Sequence, residues 1–384
     1  MKKYVITLIC LALFCGFMFY GSNVAKADEL GDAIEEQIDN LDLGDIENYF
    51  NDFNINGESS FMETLKKMLN GEYTFDYSSA FNYFLSSVFS TFKELSPTIL
   101  TIVAIAIFCA LINAFKSSFF SESISSVIYF VCYSAITVII LTNFLTIYSD
   151  TKNVIQNLTK LSEIMSPIIL ALMIASGASA SAGIFKPCVV FFASGITEII
   201  FNVLLPLCLV VLIFNVLSNY SDSIKLKTFS EFFSSLIKWI IGFIILFYGI
   251  FITVQGFSAA TYDGISIKAT KYILSNSVPL IGGLLKDGFD LVVAGSILIK
   301  NCLGIFTVIL IFYTIIKPII YITALSLCFK LCASVIEPIS DYKLSDICAS
   351  TSKSLTYLAI LIILAAFMMF IITIMMVFSA SNIV

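Results

Sequence analysis

From Pro97 to the end, long apolar runs alternate with short polar interruptions. Runs such as IIGFIILFYGIFITV carry no period-two alternation, which excludes a membrane β-barrel, whose strands must turn lipid-facing and lumen-facing residues out in turn. Windows of about twenty apolar residues match the length a helix needs to cross a hydrocarbon layer about 30 Å thick. The pattern predicts spans near 97–115, 124–147, 166–185, 188–217, 236–257, 303–325 and 355–379. The fold class is all-α: a polytopic helical membrane protein with about seven transmembrane helices, six to eight being allowed. The third segment, MSPIILALMIASGASASAGIF, crowds small residues that let helices approach closely. A bundle-packing role is preferred there over the lining of a narrow passage. In VPLIGGLLKDGFDLVVAGSILIKNC (278–302), Lys286, Asp287 and Asp290 break the first half and LVVAGSILI is too short to cross alone. A re-entrant hairpin, an interfacial helix and an extra span all fit. Seven spans that start outside leave Val384 inside, and eight leave it outside.

Two regions precede this domain of residues 95–384. Residues 1–27 combine Lys2 and Lys3, an apolar core and a small-residue ending at Ala25 and Ala27, which predicts a signal peptide cleaved before Asp28. An uncleaved first helix is the alternative, and both put the next segment outside. Residues 28–94 hold fifteen acidic residues against three lysines. Ile34, Ile38 and Leu41 recur at helical spacing, Asn70-Gly71 marks a turn, and FNYFLSSVFSTF gives an apolar stripe. Sixty-seven residues are marginal for an independent core. The segment reads either as a solvated arm or as a small helical element that docks on a partner or the membrane surface.

Composition narrows the chemistry. Only 12% of residues are charged, about half the share of a soluble domain. There is no histidine, and all 21 basic residues are lysines. Histidine-based zinc sites, haem ligation, Ser-His-Asp triads and guanidinium clamps are unavailable. Nothing supports nucleic-acid binding. HExxH, GxGD and GxxxxGK[ST] are missing, so the expectation is no enzyme, no metal and no cofactor. Cys328 and Cys332 stand one helical turn apart, but without a further Cys or His to complete a site they read as buried small hydrophobes. Glu198, eight residues before Pro206, is a helix-end residue, a partnered intramembrane carboxylate or a proton relay. With seven spans, the outer loops would carry more lysines than the inner ones, against the positive-inside rule.

The stretch TVQGFSAATYDGISIKATK (253–271) interrupts the grease with charge. Gly256 and Gly264 permit close backbone approach, and Asp263 can cap a helix over ISIKATKYIL. Lys268 and Lys271 would share a face of that helix. The stretch reads as a solvated loop with a short helix or as an interface or channel-lining element, with Gln255 included in the latter. Pro279 before Gly282 and Gly283 suits a broken or re-entrant helix. Glu337 and Asp341, in EPISD, follow the sixth span and either end it or contact neighbouring subunits.

Five stretches in this order, FNVLSN (214–219), the 253–271 segment, VPLIGG (278–283), SILIKNCLG (296–304) and CASVIEPISD (332–341), resemble the stage III sporulation protein AE family of endospore-forming Firmicutes. The resemblance is best over residues 200–345; Ile267-Lys268 stands where the family's arginine is expected. It implies a structural membrane subunit of the secretion-like channel complex between mother cell and forespore, required for endospore development and late forespore gene expression. The implied partners are other stage III A sporulation membrane proteins and, through the assembly, a forespore-side membrane partner. The implied location is the mother-cell membrane around the forespore, with the N-terminal segment in the intermembrane space. The alternative is a stand-alone secondary transporter or permease, for which the interruption near 278–290 lacks a counterpart in the first half.

Overall fold

Among the described residues, six helices are long and apolar enough to cross a membrane: Phe84–Leu111, Phe130–Ala175, Ile196–Asn219, Lys227–Phe251, Asp287–Ile336 and Tyr342–Phe378. The computed structural model describes residues 34, 37–38, 41, 43–52, 61–72, 77–114, 122–220, 226–277, 282–338 and 342–379. Its elements are α1 (Gly44–Asp52), α2 (Phe61–Leu69), α3 (Tyr77–Ala114), α4 (Glu122–Ala175), α5 (Ser179–Val190), α6 (Ile196–Ile199), α7 (Leu205–Tyr220), α8 (Lys227–Ser277), α9 (Gly282–Ile336) and α10 (Tyr342–Phe378). No strand occurs among the described residues. The protein is a polytopic helical membrane protein. The expected signal peptide lies outside the described residues.

The helices are longer than the apolar runs suggest. α4 has 54 residues and α9 has 55, each about 80 Å at 1.5 Å per residue. The expected third span, 166–185, is not one helix. α4 runs through Pro167 to Ala175, and the chain turns at Ser176–Ala178 before α5 begins. There the Ala178 N–H bonds the Met173 carbonyl (2.8 Å) and the Gly177 N–H bonds that of Ile174 (2.9 Å). This is a Schellman ending, and Gly177 takes the φ of +86° that it requires. The small residues of this segment thus supply a turn as well as close packing. The same motif closes α2 at Gly71, φ +70°, where Asn70-Gly71 predicts a turn.

Between α5 and α7 the rod is interrupted by two π turns, Phe191–Gly195 and Ile200–Leu204. The second widens the helix just before Pro206, whose ring would otherwise meet the Asn202 carbonyl. The 253–271 stretch is no loop: α8 continues through it to Ser277. Residues 282–302 are neither re-entrant nor a separate crossing, because α9 is continuous from Gly282 to Ile336.

α9 and α10 form the central antiparallel pair, with α4 packed on both and α3 against α9. The register is fixed along its length. Ser345 Oγ donates to the Ala333 carbonyl (2.9 Å), Ser326 Oγ to that of Ser352 (2.9 Å), and Lys300 Nζ to that of Ser379. At the end of the bundle where α9 meets α10 in sequence, Tyr133 OH donates to the Val216 carbonyl (2.7 Å) and Asn219 Nδ2 to Asp346 (2.8 Å). At the opposite end, α9 begins, α10 ends and the acidic arm packs. The arm's Ile38, Ile46, Phe50, Phe61 and Leu65 are buried in the same core as the long helices.

Candidate functional site

The sequence-derived candidates do not converge. α9 separates Gly282 and Gly283 from Glu337 by its whole length, about 80 Å, with Glu337 exposed in the turn after Ile336. Gln255, Gly256, Asp263, Gly264, Lys268 and Lys271 lie along the last half of α8. Asp263, in mid-helix, does not cap a helix start. Lys268 is exposed; the side chains of the other five lie outside the described residues. Pro279 and Asp341 lie outside them too. Cys328 and Cys332 are buried.

What the fold brings together is a junction between the arm, α9 and the end of α10. Ser296, Lys300 and Gly304 recur every four residues of α9 and so share a face. Ser296 Oγ donates to Gln37 Oε1 (3.1 Å), and Gln37 Nε2 donates to the Val292 carbonyl (3.2 Å). Lys300 is fully buried, with its ammonium on the Ser379 carbonyl just beyond α10. That is a favourable place for a cation, since a helix C-terminus carries partial negative charge. Gly304 lets the α10 backbone close in: a Cβ there would collide with the Val377 side chain.

Two residues further on, Phe306 meets the arm. Its ring centroid lies 5.6 Å from that of Phe50 and 5.0 Å from that of Phe61, the latter edge-on, within the favourable range for aromatic pairs. Tyr49 OH donates to the Asn157 carbonyl of α4 (3.1 Å). Burial pushes the Tyr49 phenol above its usual pKa of 10.0, while a hydrogen bond with Thr314 pulls it back. The arm is therefore bolted to α9 and α4 by the hydrogen bonds of Gln37 and Tyr49 and by three aromatics in tilted and edge-on contact.

At this same level the bundle surface turns polar. Asp150, Lys152, Gln156, Lys160 and Glu163 line the exposed face of α4. Beside them, Glu198 accepts a hydrogen bond from Asn202 across the second π turn, and Lys152 lies 5.9 Å from the Phe201 ring centre. Beneath, Thr159 and Thr197 share a hydroxyl hydrogen bond (2.9 Å) at the edge of a cavity of about 30 Å³ lined by Ser162, Met368, Met369 and Ile372. That volume has room for one or two waters. Glu198 is thus an exposed, hydrogen-bonded carboxylate on an interrupted rod.

The junction is not among the candidates drawn from the sequence, although SILIKNCLG (296–304) forms one side of it. Two signals in it point there: a lysine within an apolar run, which is expensive unless partnered, and the Ser-Lys-Gly spacing of four. The Phe50–Phe61–Phe306 cluster has no local signal, because it joins residues more than 240 positions apart.

A family model described as stage III sporulation protein AE matches residues 59–381. The stage III sporulation protein AE of Bacillus subtilis (strain 168) is 27% identical over 312 residues, covering 80% of this chain and 77% of that protein. No solved structure matches.

Proposed function

Since the chain belongs to the stage III sporulation protein AE family, and so acts in sporulation, we propose that it is a structural membrane subunit of a secretion-like channel complex joining mother cell and forespore. The observation that carries this reading is the mismatch between helix length and membrane thickness. A hydrocarbon layer of about 30 Å takes about twenty residues, whereas α4, α8 and α9 each exceed fifty. The charged face of α4 over 150–163 and Glu198 on the neighbouring rod set a limit to that layer, since such groups are costly in lipid. The membrane then encloses the half of the bundle around Tyr133, Val216, Ser326 and Ser352. The other half, with the arm, stands about 40 Å beyond it.

The orientation follows the lysines. Lys227, Lys330 and Lys343 border the connections at the membrane-embedded end, and the connecting sequences 115–121 and 221–225 add Lys116 and Lys225. The turn at Ser176–Ala178 and the sequence 278–281, at the far end, have none. Lys186, Lys268, Lys271 and Lys286 lie within the projecting helices that flank the far-end turns. Six crossings with the membrane-embedded end in the mother-cell cytoplasm put the lysine-bearing connections inside, as the positive-inside rule favours for short loops. They also agree with export of the acidic arm, so arm and projecting helices occupy the intermembrane space. In this account the protein performs no catalysis and holds no cofactor. Its partners are other stage III A membrane proteins and a forespore-side membrane protein, met through the projecting half. Exposed Ile174 (58%) and Val190 (62%) on that half are apolar surface of the kind partners cover.

The test is co-purification from sporulating cells of the full-length protein carrying Ile174→Asp and Val190→Asp. The expected result is normal membrane abundance, loss of co-purifying sporulation membrane proteins, and failure of late forespore gene expression. Undiminished co-purification and sporulation would overturn the reading.

A further inference from the structure

The open face of α8 has an order that its own bundle does not use. Ile237, Ile244 and Tyr248 turn inward and are buried. Along the middle of the opposite, exposed face, large and small residues alternate at spacings of three and four: Phe232, Ser235, Trp239, Gly242, Leu246 and Gly249. Trp239 is 77% exposed. The alternation is a heptad, with Phe232, Trp239 and Leu246 at one core position and Ser235, Gly242 and Gly249 at the other. Glycine weakens a helix interior, yet a Cβ on Gly242 or Gly249 would meet nothing within 4 Å. Unlike Gly304, they serve no close approach within the chain.

Lipid covers apolar surface without requiring a period, whereas a repeat of seven keeps one seam turned towards another helix. Level points the same way. Tyr248 OH donates to the Met368 carbonyl, and Met368 lines one cavity with Thr159, within the charged stretch of α4. Exposed Leu246 and Ile250, on either side of Tyr248, therefore stand beyond the hydrocarbon. This step rests on the membrane placement given above, and apolar surface there needs protein cover. Lys238 specifies which protein. It is exposed beside Trp239 and forms no ion pair with a described residue. Copies of the chain inserted in the same sense bring their α8 helices together in parallel. In a parallel pair the position of Lys238, flanking the seam, reaches the flanking position of the next heptad in the facing helix. That position holds Phe243, itself exposed, and an ammonium is attracted to an aromatic face.

We propose that this face of α8 is a self-association surface, through which two copies pair in parallel as a left-handed helix pair about a two-fold axis along the membrane normal. Gly242 and Gly249 let the two backbones approach, and Trp239 and Leu246 fill the layers between them. Lys238 lies over the ring of Phe243 of the partner subunit. The interface is isologous, so it closes at two copies.

The test is oxidative cross-linking in native membranes of the full-length protein, with its own cysteines replaced and two differently tagged copies co-expressed without other sporulation proteins. Ser235→Cys and Leu246→Cys should each give a band of twice the chain's mass that holds both tags. Leu145→Cys, at an exposed residue of α4, should not. Gly242→Leu/Gly249→Leu places both new side chains in open space, so membrane abundance should hold while cross-linking of Ser235→Cys falls about tenfold. Lys238→Gln should lower it about threefold and Lys238→Arg restore it. No cross-link at Ser235→Cys and Leu246→Cys, equal cross-linking at Leu145→Cys, or cross-linking that survives Gly242→Leu/Gly249→Leu would each overturn the proposal. Because no sporulation partner is present, such a failure is distinct from the co-purification result for Ile174→Asp and Val190→Asp.

Discussion

Lys300 holds the carbonyl of Ser379, which ties the start of one central helix to the end of the other. Lys300 is fully buried, stem included, although its partner Ser379 is only partly so. Stem and charge make separable contributions. Lys300→Ala should lower stability by about 2–5 kcal/mol, as large-to-small core changes do. Lys300→Met keeps the volume and removes a buried charge, so its cost should be under about 2 kcal/mol. Thermal unfolding of both variants in the same detergent checks the order.

Gly304 faces Val377 so closely that a methyl group has no place. Valine in a helix has one strongly preferred rotamer and cannot swing aside. Gly304→Ala should cost about 1–3 kcal/mol by overpacking. Gly304→Ala/Val377→Ala should recover most of that loss, giving a coupling term in a double-mutant cycle. Additive effects of the two substitutions would show that α9 and α10 separate freely here.

The arm should come off as a unit when Phe306 is truncated. Phe306→Ala removes the ring against which Phe50 and Phe61 pack, at about 3–5 kcal/mol. Protease should then cut within residues 43–72 while leaving the long helices intact. Tyr49→Phe keeps the ring and loses the hydrogen bonds to Asn157 and Thr314, each worth about 0.5–1.5 kcal/mol, and should leave the arm protected at neutral pH.

Tyr49 also gives the arm an alkaline limit. Its folded-state pKa is raised above 10.0 by burial, so the stabilisation is fully present below pH 10. It is lost as pH climbs from there through the folded value, because the unfolded chain gives up the proton first. Protease sensitivity of the arm should therefore rise above pH 10 in the parent protein and rise less steeply in Tyr49→Phe.

The helical membrane class is legible in the sequence because apolar runs of this length have no other stable solution in lipid. Helix length is not. Gly256, Asp263 and Gly264 look like a break, yet each costs at most about 1 kcal/mol in a helix interior, and α8 carries them between helical flanks on both sides. Pro167 misleads in the same way, since α4 passes through it, while the true turn needs only Gly177 in the left-handed region. That one misplaced segment inverts the side of every later loop. In a six-crossing account Lys225, Lys227, Lys330 and Lys343 change sides together, so the connections at their end carry lysines while the turns at the far end carry none. The arm junction stays hidden for another reason: its aromatics meet only through tertiary packing.

The central claim is that the bundle projects beyond the membrane on the arm's side while its lysine-bordered end faces the cytoplasm. Single cysteines at Gln156, Glu163 and Glu337, in a chain whose own cysteines are replaced and which is expressed in vegetative cells so that the exported side faces the medium, test it directly in protoplasts treated with a membrane-impermeant maleimide. All three positions are exposed. Gln156→Cys and Glu163→Cys should label in intact protoplasts, and Glu337→Cys only after permeabilisation. Labelling of Glu337→Cys in intact protoplasts, or silence at Gln156→Cys and Glu163→Cys until the membrane is opened, would contradict it.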